Sequence, residues 1–107
     1  MSFTLEEKIQ QLEKLLSDDP EDHLGHFMLG RLYMEAARHE DAAREFAISI
    51  EQNPEHSASY RQCGDAYRKD NKPEKAREVY ERGIVVAERR GDLQTVKEMQ
   101  AFLRKLS

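Results

Sequence analysis

The stretch Leu29-Gly30-Arg31-Leu32-Tyr33 returns as Cys63-Gly64-Asp65-Ala66-Tyr67, and its reading decides the fold. Gly30 and Gly64 are 34 residues apart, as are Tyr33 and Tyr67, Ala42 and Ala76, and Phe46 and Tyr80. Self-similarity at a fixed period of this size marks an array of helical repeats. The spacing has a physical reason. A glycine three residues before a tyrosine leaves a notch on a helix, with an aromatic ring one turn on. A second helix can then come close, its alanine facing the notch and the aromatic four residues later filling the gap beyond. Small against large across facing helices lets an antiparallel pair interdigitate at native density.

The first copy of the pattern is His26, Leu29-Gly30, Tyr33, Ala42, Phe46 and Pro54, and the second is Tyr60, Cys63-Gly64, Tyr67, Ala76 and Tyr80. These residues resemble the tetratricopeptide repeat, whose pattern is a large residue, Leu-Gly, Tyr, Ala, an aromatic and Pro. The departures are His26 at the large position, Cys63 for leucine, Gly83 for a small alanine and Glu88 where the proline falls. The resemblance implies an all-α fold, a right-handed α-α superhelix of about six antiparallel helices. The expected organisation of 1–107 is one domain: an N-terminal helix (1–22), repeat 1 (23–56), repeat 2 (57–90) and a capping helix (91–107).

Composition agrees with a small, surface-rich helical protein. Of 107 residues, 36% are charged, and a chain this short has a modest core. The longest apolar run, Ile84-Val85-Val86-Ala87, is too short to cross a bilayer. The first residues, Met1-Ser2-Phe3-Thr4-Leu5-Glu6-Glu7, lack the basic and apolar regions of a secretion signal. One cysteine leaves no internal disulfide, which fits a reducing cytosol, so a cytoplasmic location is expected. The net charge of −4 is unevenly spread: −5 over residues 1–22, −3 over 23–56 and +4 over 57–107. In a nearly one-dimensional array that gradient becomes a molecular dipole.

Thr4 with Glu7 three residues on reads as a capping box. The stripe behind it is Leu5, Ile9, Leu12, Leu15 and Leu16, and Asp18-Asp19-Pro20 ends the helix. Pro20 lies 34 residues before Pro54, so this helix reads as the second half of a truncated repeat. The next helix starts near Asp22 and runs to about Ala37. Arg38-His39 turns the chain into a helix that ends near Gln52, before Asn53-Pro54. Ser57 is the expected cap of the fourth helix, Pro73 the first residue of the fifth and Gly91 its stop. Asp92 is the expected cap of the last.

Little in the chain points to catalysis. His23 and His26 beside Asp22 could share a helix face and hold a metal, but zinc sites recruit three or four ligands of known spacing. Packing and capping account for them more simply. Cys63 occupies the buried leucine position, so a small buried hydrophobe outweighs a nucleophile. No glycine cluster could cradle a phosphate. No enzyme activity, metal or cofactor is expected.

The candidate site is a surface. In the resembled family the first helix of each pair lines a concave groove. The matching residues are Phe27, Arg31, Met34 and Glu35 in repeat 1, and Arg61, Asp65, Arg68 and Lys69 in repeat 2. Lys97 and Arg104 are the best match on the capping helix. The resemblance implies a non-catalytic protein–protein interaction module that binds a peptide or helical segment. The basic groove favours an acidic one. The alternative is a self-associating scaffold, a weak homodimer steered by its oppositely charged ends. Nucleic acid is not expected, since most of the chain is acidic and no nucleic-acid module is recognised. Some relatives grip acidic chaperone tails with a Lys/Asn clamp. The matching positions here are Phe27, Arg31 and Gln62, so that specificity is not implied.

Overall fold

The computed structural model describes residues 2–106. They form six helices: α1 (Leu5–Asp18), α2 (His23–Glu35), α3 (His39–Gln52), α4 (Ser57–Lys69), α5 (Pro73–Arg89) and α6 (Leu93–Leu106). No strand occurs among the described residues. Short turns join the helices, and each packs on its neighbour in sequence. The result is an elongated stack, 41 × 26 × 24 Å, with α2/α3 and α4/α5 as its two full pairs.

Local chemistry sets the helix starts. At α1, Thr4 Oγ1 accepts from the Glu7 backbone N–H at 3.1 Å, and the Glu7 carboxylate accepts from Thr4 N–H at 3.0 Å. This is the expected capping box. Asp22 caps α2 through the Gly25 N–H at 3.0 Å. The fourth helix differs from expectation. His56 holds the capping position without a side-chain bond to the helix's free N–H groups, and Ser57 is the first helical residue. The Ser57 hydroxyl donates instead to Asp92 Oδ2 at 2.8 Å, across to the start of α6. A carboxylate is the stronger acceptor for it.

The ends of α2, α4 and α5 share one device. Ala37 (φ 58), Asn71 (φ 59) and Gly91 (φ 74) all turn left-handed. After each, an N–H reaches back: Arg38 to Tyr33 O at 2.8 Å, Lys72 to Tyr67 O at 2.9 Å and Asp92 to Ala87 O at 2.8 Å. These are Schellman closures. They stop α2 at Glu35, short of the expected Ala37. Alanine is the worst of the three residues for this conformation, because its Cβ crowds the following carbonyl. Ala37→Gly should therefore raise stability by about 1 kcal/mol, read as a higher urea midpoint at unchanged slope. An unchanged or lower midpoint would show that Ala37 carries no strain.

The core lies between paired helices. Ala42, Phe46, Ala76 and Tyr80 are fully buried. At Gly30 an added Cβ would sit 2.6 Å from Phe46 Cε1, and at Gly64 it would run into the Tyr80 ring. Gly83 has the same cause: an added Cβ would meet the Tyr60 side chain, and Met99 Sδ at 2.8 Å. In repeat 1 the matching pair is His26 and Ser49. Ser49 Oγ donates to His23 O at 3.0 Å and lies 3.0 Å from Ser59 Oγ, tying α2, α3 and α4 together.

The apolar stripe of α1 also departs from the sequence expectation. Leu15 is not part of the buried stripe of α1: it is 63% exposed, while Ile9 and Leu16 are buried. The cause is that α1 packs on α2 alone among the described helices, which leaves this flank of α1 uncovered. Phe102, which lies off the apolar stripe of α6, stacks on Tyr80 with ring centroids 5.7 Å apart.

Candidate functional site

The residues expected to line the groove lie on α2, α4 and α6, but they are not equally available. Phe27 is half-buried, its ring 5.7 Å from Phe46 and 4.9 Å from His56. Met34 is also half-buried against the core. Arg61 lies 3.7 Å from Asp65 and 3.8 Å from Glu98 of α6. Arg68 lies 3.7 Å from Asp65, and its guanidinium sits 4.5 Å over the Phe102 ring. Asp65 also accepts from the Tyr80 hydroxyl at 2.5 Å. Burial and then this bond push the Tyr80 phenol well above its ordinary range. The capping helix thus satisfies the arginines of α4.

Arg31, Lys69, Lys97 and Arg104 are exposed and have no ion-pair partner among the described residues. Glu35 is exposed as well. Arg31 and Glu35 face a second space, a cavity of about 540 Å³ between α1 and α2. Its floor includes Leu12 and Leu32, with the exposed Leu15 and Met28 at its mouth. Sequence reasoning did not find this cavity. The signal was available in the leucine at position 15, which has no counterpart to pack against.

His23, His26, His56 and Cys63 do structural work. His26 Nδ1 lies 2.7 Å from Glu45 Oε1 and its Nε2 lies 2.7 Å from Pro20 O. His23 Nε2 meets Asn53 Nδ2 at 3.1 Å. His56 Nδ1 lies 2.6 Å from Ser59 Oγ. Burial, with His23 and Arg90 nearby, holds the His56 imidazole below its ordinary value. Cys63 is fully buried, its Sγ–H directed at Ala43 O at 3.7 Å, and burial pushes the thiol up to about 12. A thiol so placed gives no thiolate near neutral pH. Among the described residues no group of three or more His, Cys, Asp or Glu is placed to hold a metal. No helix among them is long and apolar enough to cross a membrane.

The tetratricopeptide repeat family model matches residues 9–47 and 27–92. The chain belongs to the tetratricopeptide repeat family. It is similar to a TPR repeat-containing protein of Pseudomonas aeruginosa, 38% identical over 98 residues, covering 92% of this chain and 93% of that one. A Bordetella parapertussis protein solved in solution superposes with a TM-score of 0.78 at 30% identity, covering 99% of this chain and 89% of that one. The first TPR of Spaghetti, bound to an HSP90 peptide, superposes with a TM-score of 0.81 at 20% identity, covering 95% and 76%. The fold is thus the all-α superhelix of tetratricopeptide repeats. Repeats of this family are protein–protein interaction modules, generally without catalysis of their own.

Proposed function

We propose that this tetratricopeptide repeat protein binds an acidic peptide or helical segment on the face formed by α2, α4 and α6. Its repeats divide as 23–56 and 57–90, flanked by a half repeat and a cap. The observation that supports the reading is the charge left over on that face. Asp65 and Glu98 are occupied by Arg61 and Arg68, whereas Arg31, Lys69, Lys97 and Arg104 have no ion-pair partner among the described residues. Phe27 and Met34 beside them offer an apolar anchor. An acidic ligand meets uncompensated cations there and displaces no internal pair. The HSP90 peptide seen with the Spaghetti repeat illustrates such a ligand, but the Lys/Asn clamp residues are absent here.

The test is peptide binding by fluorescence anisotropy. An acidic peptide with one large apolar residue should bind, and more weakly as salt rises. Arg31→Glu with Lys69→Glu should weaken it by roughly tenfold, since two exposed contacts turn repulsive. These two are the informative sites, because reversing Arg61 or Arg68 would also break internal contacts. Equal binding of a basic peptide, or an unaltered affinity in the double variant, would count against the reading.

A further inference from the structure

The cavity between α1 and α2 lies at a position where the repeat elsewhere seats a helix. The 34-residue period makes this explicit. Its α1 wall is Lys8, Gln11, Leu12 and Leu15. One period on, these positions are Ala42, Glu45, Phe46 and Ser49 of α3. Three of those residues hold α2: Glu45 meets His26 at 2.7 Å, Phe46 fills the Gly30 notch and Ser49 bonds His23 O at 3.0 Å. The α2 wall repeats the same way. Met28 and Leu32 become Gln62 and Ala66 of α4, and Ala66 is fully buried in the stack. The cavity therefore stands to α1 and α2 as α2 itself stands to α3 and α4.

A polar cap would close such an end. Here Leu15 is 63% exposed and Met28 56% exposed, and they face one half of the groove. Leu16 packs near Gly25, so α1 and α2 run antiparallel and the far half is the one lined by Lys8, Arg31 and Glu35. Neither Lys8 nor Arg31 has an ion-pair partner among the described residues. Leaving apolar side chains and unpaired cations together on one exposed groove is stabilised by an occupant that supplies both complements.

We infer that the α1/α2 groove seats an amphipathic α-helix of another protein, one that sits on α1 and α2 as α2 sits on α3 and α4. Its apolar ridge covers Leu15 and Met28, and carboxylates about two turns further on meet Lys8 and Arg31. The site adjoins the face of α2, α4 and α6 and shares Arg31 with it, but Leu15 and Met28 belong to the groove alone, so their variants report on the groove and not on that face. The segment 1–22 carries −5 overall, so a basic helix would be drawn in by long-range attraction alone. The test must separate that attraction from the local pairing.

Three synthetic peptides of about 20 residues serve as probes, a length that allows appreciable helix. The first has leucines at helical spacing followed by two glutamates, the second replaces the glutamates with lysines, and the third carries central prolines. Each is titrated into isotope-labelled protein and followed by amide shifts. The acidic helix should perturb Gln11–Leu16 and Met28–Leu32. Leu15→Glu with Met28→Glu should weaken it by roughly tenfold or more. Both residues are exposed, so the double variant should keep its circular dichroism. A second outcome overturns the proposal: no localised shifts, or equal binding of the lysine or proline peptide. So does a third, a parental dimer in sedimentation that the double variant dissolves, because a second copy would then be the occupant.

Discussion

Phe46→Ala should lower stability by about 3–5 kcal/mol, the largest single loss expected in the chain. The ring is fully buried, fills the Gly30 notch and sits 5.7 Å from Phe27. Truncation removes the transfer energy of the ring and leaves a cavity that helices already in contact cannot close. A domain of this size has a total stability on the order of 5–15 kcal/mol, so the variant would be partly unfolded at moderate urea. Urea denaturation followed by circular dichroism measures it directly. A loss below about 1 kcal/mol would mean that the α2/α3 contact is not where the stack is held.

The repeat set was legible in the sequence because its residues report contacts between helices. A Gly-Tyr-Ala-aromatic series at a fixed period has one efficient packing, and in it Phe46 closes on Gly30 while Ala42 is fully buried. Pro73 and Gly91 marked their boundaries by backbone chemistry alone. Other features depend on distant partners and leave no local trace. Ser57 reads as a cap until Asp92 is known to take its hydroxyl. Ala37 carries no sign that it is left-handed, whereas Asn71 is a residue that tolerates that conformation.

The candidate surface was legible only as a list of positions. α5 runs 17 residues against 14 in α3, since no proline stops it at Glu88. That lengthening starts α6 at Leu93, 36 residues after Ser57 starts α4, and breaks the period of 34. The shift brings Glu98 to Arg61 and Phe102 to Arg68, which a fixed period does not anticipate. Two of the expected binding cations are thereby paired within the chain. The same periodic logic, carried back to α1, exposes a flank that a leucine stripe read in isolation treats as buried.

Gly64→Leu should cost about 3 kcal/mol, and with it roughly 10–20 °C of melting temperature. The notch at Gly64 is closed by the Tyr80 ring, so any Cβ there meets an aromatic side chain. Tyr80 cannot yield easily. It is fully buried, stacks on Phe102 and donates to Asp65 at 2.5 Å. The added side chain must therefore push α4 and α5 apart. Gly91 provides the contrast: nothing lies within 4 Å of an added Cβ, and only its φ of 74° favours glycine. Gly91→Leu should cost about 1–2 kcal/mol through backbone strain alone. The mechanism at Gly64 has a sharper signature than its size. If the ring is the obstacle, Gly64→Leu combined with Tyr80→Ala should lose less than the sum of the two single changes, because the second removes what the first collides with. Additive losses, or a Gly64→Leu protein that melts with the parent, would place the glycine outside the contact between α4 and α5.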